Sequence, residues 1–176
     1  MFFKIYTYIY ISYLKLIKRG RLKVKGKISS DRFFRIEIAR NAELVINGNI
    51  DIKSNVLIAV RKNAKLLIGN GCFFNRNCSI VCRETILIGN DCMFGENVKI
   101  YDHDHKIENK TISKTLYNTG KITIESNCWI ANDVNILKSS YIRSSSVVGA
   151  MSLVNRPLEK SGIYIGIPVS LKKELF

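Results

Sequence analysis

The only two histidines of the chain lie together in a short segment that interrupts a regular sequence pattern. The segment spans residues 102–105 and reads Asp-His-Asp-His, so that His103 and His105 flank Asp104. The pKa of an imidazole is ordinarily about 6.5, which suits a general base that activates a hydroxyl group at neutral pH. Imidazoles and carboxylates also bind metals, but two histidines at this spacing do not match the usual ligand sets. We therefore expect acid–base chemistry and no metal ion.

A catalytic histidine needs a partner for its second ring nitrogen. Asp102, Asp104 and a backbone carbonyl are all candidates. In an extended backbone successive side chains alternate, which places both histidines on one face and both aspartates on the other. This alternation favours a carbonyl, or a residue from another chain, as the partner.

The scaffold that must position these residues carries apolar residues at a six-residue step. Such a step fits neither an amphipathic helix nor an alternating strand. It is typical of an all-β, parallel β-helix, in which three short strands form one triangular coil and one residue per strand points inward. An insertion at about 101–120 interrupts it. The predicted inward column consists of Val24, Ile36, Ile46, Ile52, Ile58, Ile68, Phe74, Ile80, Ile88, Phe94, Ile100, Ile124, Ile130, Ile136, Ile142, Val148 and Val154.

The same register explains most of the cysteines and the many turn-forming residues. Lys-Gly-Lys-Ile at 25–28 recurs as Asn-Gly-Asn-Ile at 47–50, and such Gly, Asn and Asp residues suit tight corners. Four of the five cysteines follow a column residue by four positions, where a small apolar filler is expected. They are Cys72, Cys78, Cys92 and Cys128. The pattern therefore favours packing over a metal site or disulfide bonds.

The charge of the chain is strongly and locally basic. The 176 residues carry a formal net charge of +14, and eight of the lysines and arginines precede the first acidic residue, Asp31. Such a bias indicates an anionic partner for residues 1–27. Because these cations alternate with apolar residues and no nucleic-acid recognition motif is present, we expect an anionic membrane surface and no nucleic acid.

The N-terminal residues predict a short amphipathic helix at 2–19. Lys4, Thr7, Ile11, Lys15 and Lys18 share one stripe, and the remaining surface is rich in Phe, Tyr, Ile and Leu. Two roles stay open: the helix caps the end of the β-helix, or it lies on a membrane. It is too short for a membrane span, and no cleavable signal is apparent. We expect residues 1–23 to form this segment and 24–176 the β-helix, in a protein of the cytoplasm or of the inner face of the plasma membrane.

Three residues connect this pattern to a known family. Asn75, His105 and Trp129 lie 30 and 24 residues apart, and this spacing is similar to that of the acceptor-binding Asn, catalytic His and cofactor-side Trp of hexapeptide-repeat acyltransferases. The chain resembles their galactoside and maltose O-acetyltransferase branch, and related enzymes of surface-polysaccharide synthesis, over roughly 36–173. The resemblance implies a left-handed β-helix.

It also implies an O-acetyltransferase that moves an acetyl group from acetyl-CoA to a saccharide hydroxyl, with His105 as general base. The saccharide, free or lipid-linked, would belong to capsule, O-antigen or another surface glycan. Asn75, His103 and Trp129 would contact it, and the enzyme would be a homotrimer with sites between subunits. The residues expected along coenzyme A are Trp129, Ala131, Asn132, Ala150, Arg156, Lys172 and Lys173. The chain departs from the family pattern at Met151, Ala131 and residues 139–141.

Two alternatives remain. The first is N-acetylation of an amino-sugar nucleotide, although such enzymes usually carry an additional nucleotide-binding domain and no Gly-rich βαβ pattern occurs here. The second is a non-catalytic β-helical scaffold that binds a membrane or a protein through its basic N-terminus.

Overall fold

A computed structural model describes residues 2–30 and 33–175, which form one helix followed by a three-sided β-helix of about six turns. Helix α1 spans Phe2–Lys18, within one residue of the prediction at its C-terminal end. The strands before the insertion are β1 (Leu22–Val24), β2 (Ile28–Ser30), β3 (Arg35–Ile38), β4 (Glu43–Ile46), β5 (Ile50–Ile52), β6 (Leu57–Val60), β7 (Lys65–Ile68), β8 (Cys72–Phe74), β9 (Ser79–Cys82), β10 (Thr85–Ile88), β11 (Met93–Phe94) and β12 (Lys99–Tyr101).

The predicted insertion forms a β-hairpin of two antiparallel strands, β13 (His103–Glu108) and β14 (Thr111–Thr119). The β-helix then resumes. Its remaining strands are β15 (Ile122–Ile124), β16 (Trp129–Ile130), β17 (Asn135–Leu137), β18 (Tyr141–Ile142), β19 (Val147–Val148), β20 (Leu153–Val154), β21 (Gly162–Ile165) and β22 (Ser170–Glu174).

Apart from the hairpin and the last two strands, every third strand lies on the same side of the prism. The first sheet has the order β1-β4-β7-β10-β15-β18, the second β2-β5-β8-β11-β16-β19-β21-β22, and the third β3-β6-β9-β12-β17-β20. Neighbouring strands are parallel, except that β22 folds back antiparallel to β21. This arrangement confirms the β-helix predicted from the six-residue step.

The predicted column forms the core. Ile88 pairs with Ile124, and Ile124 pairs with Ile142, in the register that places equivalent apolar residues in adjacent coils. Phe74 and Phe94 stack with ring centroids 4.7 Å apart. All of the column residues are buried except Val24, which is half-buried because it lies in the first coil, beneath α1.

The five cysteines are buried and unpaired, and each thiol points to a backbone carbonyl of an adjacent coil. Cys78 Sγ donates to Gly95 O over 3.0 Å, and Cys92 Sγ donates to Glu125 O over 3.1 Å. A thiol that donates is protonated, and burial raises the pKa of the Cys78 thiol to about 11. The four cysteines at the predicted filler position therefore pack in the core, and Cys82, which the pattern did not include, does so too.

Helix α1 closes the N-terminal end of the prism. It contacts the first strand of each sheet: Lys15 Nζ donates to Val24 O in β1, Ile28 of β2 lines a cleft beside the helix, and Ile36 N in β3 donates to Tyr10 Oη over 3.0 Å. Thr7 and Ile11 are only 3% and 8% exposed. The stripe that the sequence predicts is thus divided: Thr7 and Ile11 face the prism, whereas Lys4 and Lys15 on the same stripe are exposed.

Candidate active site

The hairpin β13–β14 projects from the edge between the third and first sheets, and Asp102 fixes its base. The carboxylate of Asp102 is fully buried and accepts hydrogen bonds from the backbone amides of Arg83 and Glu84, both at 2.8 Å. Gly120 N donates to Asp102 O over 2.9 Å, which joins the two ends of the hairpin. Asp104 forms an ion pair with Lys138 at 2.6 Å. These bonds hold the histidine segment against the β-helix.

His103 is held by Asp102. Its Nδ1 lies 3.2 Å from Asp102 Oδ1, and because an ionised carboxylate can only accept, Nδ1 carries the proton. Burial lowers the pKa of His103, and the adjacent Asp102, which acts in the opposite direction, does not overcome this effect. His103 is therefore a neutral, well-oriented imidazole at neutral pH.

His105 is held by a backbone carbonyl, as the alternation of the segment favoured. Its Nδ1 donates to Ser113 O in β14 over 2.8 Å. In a neutral ring this contact places the proton on Nδ1, so that Nε2 is the nitrogen that can accept a proton. The side chain is exposed, so the ring can reach an approaching hydroxyl group.

Tyr117 and Arg83 complete the surroundings of the histidines, and the sequence analysis missed both. The Tyr117 ring lies 4.7 Å from the His105 ring and 5.5 Å from the His103 ring, measured between centroids. The guanidinium carbon of Arg83 lies 3.5 Å from the centroid of the Tyr117 ring, in cation–π contact with it. The hairpin register, which pairs His105 with Tyr117, brings these residues together, and no sequence signal specifies that register.

A cleft of about 490 Å³ lies between the hairpin and the outer face of the third sheet. Its hairpin side is formed by His103, Asp104 and His105. The sheet contributes Leu57, Ser79, Val81 and Tyr101. The cleft therefore combines an apolar wall with two imidazoles, an arrangement that can seat a polar acceptor against an apolar ring or chain.

Trp129 lies on a different side of the prism from this cleft. It is half exposed on the outer face of the second sheet, in register with Met93 and Val147. Phe73 and Ile163 extend this outward row at its two ends. The result is an apolar ladder along the second sheet, with Trp129 at its centre.

Four predicted residues share the edge between the second and third sheets. Asn75, Ala131, Asn132 and Ala150 follow equivalent strands, and Asn132 Oδ1 accepts the amide of Glu96 from the coil before it at 2.9 Å. Gly95 stands at the same edge, where a Cβ would lie 2.3 Å from Asn132 Oδ1, so that no side chain fits. The amides of Trp129 and Ala131 already donate to Ser146 O and Val148 O. Both amides therefore belong to the hydrogen bonds that join this coil to the next one.

The predicted basic residues lie near the C-terminal end. Arg156 uses Nη2 to donate to Val169 O over 2.5 Å, so part of its guanidinium supports the chain. Lys172 and Lys173 lie on β22, are exposed, and form no ion pair with any described residue. They are available to an anionic ligand.

One chain thus holds two separate groups of predicted site residues. His103 and His105 lie at the edge between the third and first sheets, and Trp129, Asn75, Ala131, Asn132 and Ala150 lie on or beside the second sheet. Within the described residues no cluster of three or more His, Cys, Asp or Glu side chains could hold a metal ion. None of the described helices has the length and apolar character needed to cross a bilayer.

No family model and no curated protein matches the sequence. Solved structures do match. AntD, an N-acyltransferase from Bacillus cereus bound to dTDP-4-amino-4,6-dideoxyglucose and coenzyme A, shows 19% identity with a TM-score of 0.69 over 92% of this chain and 88% of that chain. The chain has the fold of the hexapeptide-repeat acetyltransferases.

Two further solved structures have a similar fold. The polySia-specific acetyltransferase NeuO is 19% identical with a TM-score of 0.61, over 88% of this chain and 87% of that chain. A maltose O-acetyltransferase from Clostridium difficile is 20% identical with a TM-score of 0.63, over 92% of this chain and 74% of that chain. These proteins differ in their acceptors, so the likeness identifies the architecture and leaves the acceptor open.

Proposed function

We propose that the protein is an acetyl-CoA-dependent acetyltransferase that acts on a saccharide. The observation that carries this proposal is the hydrogen bond from His105 Nδ1 to Ser113 O, which keeps the proton of a neutral ring on Nδ1 and makes Nε2 the acceptor beside an open cleft. A base in this state can activate a hydroxyl group. The fold, which is shared with acetyltransferases that bind coenzyme A, supports the same reaction.

The reaction follows from the chemistry of the thioester. His105 Nε2 accepts the proton of the acceptor hydroxyl as its oxygen attacks the acetyl carbonyl carbon, and a tetrahedral oxyanion forms. When this intermediate collapses, the carbon–sulfur bond breaks and the imidazolium returns its proton to the thiolate of coenzyme A. His103 would orient the acceptor from the same cleft.

A second copy of the chain would complete the site. His105 and Trp129 lie on different sides of one prism, so we place the apolar ladder around Trp129, together with Asn75, against the hairpin of a neighbouring copy. A heterologous interface of this kind closes as a ring, and we propose a homotrimer. Acetyl-CoA would lie along this interface, with Trp129, Ala131, Asn132 and Ala150 beside its pantetheine arm. Arg156, Lys172 and Lys173 would face its phosphates.

The acceptor is proposed to be a sugar hydroxyl of a surface glycan. N-acetylation of an amino-sugar nucleotide is the second candidate, and one specific observation favours it: AntD, which was solved with such a nucleotide, is nearly covered by this chain. A nucleotide-linked acceptor therefore requires no additional domain, and the lack of a nucleotide-binding domain does not argue against this candidate. The free thiols are typical of the reducing cytoplasm, where we place the reaction.

Acetyl transfer across an acceptor panel tests this function. Release of the coenzyme A thiol would be followed with neutral saccharides, amino sugars and nucleotide-linked amino sugars, and the product would be identified as ester or amide by its stability to mild base. Ester formation on a saccharide, lost in His105→Ala, is the expected result. An amide product would select the second candidate. If the protein neither binds coenzyme A nor transfers acetyl groups to any acceptor, the proposal is wrong.

A further inference from the structure

Helix α1 has an apolar face that the β-helix does not cover. Thr7, Ile11 and Leu14 are buried against the end of the prism. On the opposite face, Ile5, Ile9 and Leu16 are 50%, 59% and 76% exposed. They lie at helical spacing, so they form one continuous row along the outside of the cap. A row of large aliphatic side chains in water is unfavourable, and this contiguous surface indicates a binding partner.

Aromatic residues with hydroxyl groups flank this row. Tyr8 and Tyr13 are 75% and 56% exposed on its two sides. A tyrosine ring and its hydroxyl are both satisfied where apolar and aqueous phases meet. The flanks of the exposed row therefore match the boundary between lipid and water.

Cations lie along one side of α1, between this exposed row and the first coil. Lys4 and Lys15 line a cleft of about 530 Å³ between α1 and the first coil, and Lys27 lines its other side. Lys18, Arg19 and Lys25 lie close by in the chain, and none of these six side chains forms an ion pair within the described residues. The sequence contains no acidic residue before Asp31 that could offset them.

We propose that the outward face of α1 docks on an anionic phospholipid bilayer, parallel to its surface. The row of Ile5, Ile9 and Leu16 would enter the acyl-chain boundary, and the lysines beside it would contact lipid phosphates. A second copy of the chain is a poorer occupant, because it would bring two groups of unpaired cations together. This inference does not depend on the catalytic function.

Capping and membrane contact do not exclude each other in this structure. The two roles use opposite faces of one helix, so that α1 can seal the prism and bind lipid at the same time. Substitutions on the outward face should therefore weaken lipid binding without lowering the melting temperature. This separation is what makes the proposal testable with the full-length protein.

The experiment is co-sedimentation with vesicles of phosphatidylcholine, with and without phosphatidylglycerol, over a range of salt concentrations. The wild type should bind the anionic vesicles, and binding should weaken as salt is added. Ile9→Gln with Leu16→Gln should weaken binding by about tenfold or more, because two buried aliphatic side chains are lost. Lys4→Gln with Lys15→Gln should weaken it by about thirtyfold at low salt.

Matched controls distinguish binding through this surface from nonspecific hydrophobic or electrostatic binding. Ile107 and Ile112, on the hairpin, are 66% and 65% exposed, and their paired change to Gln should leave vesicle binding unchanged. Lys62→Gln with Lys121→Gln removes the same charge from exposed positions elsewhere. Absence of wild-type binding, or equal loss in the control variants, would overturn the proposal. So would self-association that depends on Ile9 and Leu16 and occurs without vesicle binding.

Discussion

His105 Nδ1 lies 2.8 Å from the carbonyl oxygen of Ser113, across the two strands of the inserted hairpin. The hydrogen bond orients the ring through the backbone, so no acidic side chain is needed to select the reactive tautomer. The carboxylate of Asp102 instead contacts His103 Nδ1 and accepts the backbone amide of Arg83 at the base of the hairpin. The two histidines are therefore neighbours with different environments, and their variants should differ.

Replacement of His105 by Ala should lower kcat/KM by about 10²–10⁴-fold, because the general base is lost. The fold should persist, since the side chain is exposed. His103→Ala should lower kcat/KM much less, mainly by raising KM. Steady-state kinetics with acetyl-CoA and the identified acceptor measure both. The assignment of the base is wrong if the two variants exchange rank.

A mixture of His105→Ala and Trp129→Ala subunits should recover activity that neither variant has alone. If His105 of one chain meets Trp129 of the next in a closed trimer, every mixed trimer has one intact site, so about a third of the sites are restored. Co-expression with two affinity tags, followed by sequential purification, provides the mixed oligomers. A mixture as inactive as its components would show that both residues act within one chain or that Trp129 is not in the site.

Stability should depend on pH through His103. Burial lowers its pKa below the ordinary value of about 6.5, so between the two values the unfolded chain binds more protons than the folded chain. The contribution of His103 to the free energy of unfolding is fully present above the unfolded-state pKa, and it is lost as the pH falls below that value. The melting temperature should therefore fall between neutral and mildly acidic pH, and less so in His103→Asn, which keeps a donor for Asp102. Parallel pH profiles for the two proteins would contradict this origin.

Met151 should be replaceable by Asn with a gain in stability. It has a φ of 57° and stands in the same edge column as Asn77, Asn97 and Asp133, which have φ values of 61°, 59° and 59°. Asn adopts this left-handed conformation at less cost than other side chains, so we expect a gain of about 1 kcal/mol and a melting temperature about 2–4 °C higher. Met151→Ala is the matched control and should bring little gain. Equal melting temperatures for Asn and Ala would show that backbone strain is not the reason.

The sequence was sufficient to predict the elements that depend on local or periodic patterns. The six-residue column, the cysteine fillers and the position of the insertion are confirmed, because inward residues must repeat in every coil. The length of α1 also follows from local pattern. Its orientation does not, because the amphipathic stripe alone cannot tell which side meets the end of the prism. Thr7 is buried, although the pattern places it on one stripe with Lys4 and Lys15, which are exposed.

Long-range relationships at the site could not be read from spacing. The arrangement of Asp102 depends on amides of Arg83 and Glu84, which belong to the coil before. The position of Tyr117 beside His105 depends on the register of the hairpin. The spacing of Asn75, His105 and Trp129 suggested one site, yet within a chain they occupy different sides of the prism. A periodic pattern specifies which residues stack, but not which faces of two copies meet. The roles of Asn75, His103, His105 and Trp129 stay predictions.

The hydrogen bond between Gly120 N and Asp102 O has a consequence for how such a protein can diversify. The hairpin leaves and rejoins the coil at one point, and the register on both sides, Ile88 with Ile124 and Ile100 with Ile136, continues as though nothing were inserted. The segment between these ends can therefore be replaced without a change in the coils on either side. We expect that hairpins of other lengths can be inserted at this junction without a shift of the core layers, so that the residues around the histidine segment can change while the scaffold stays the same.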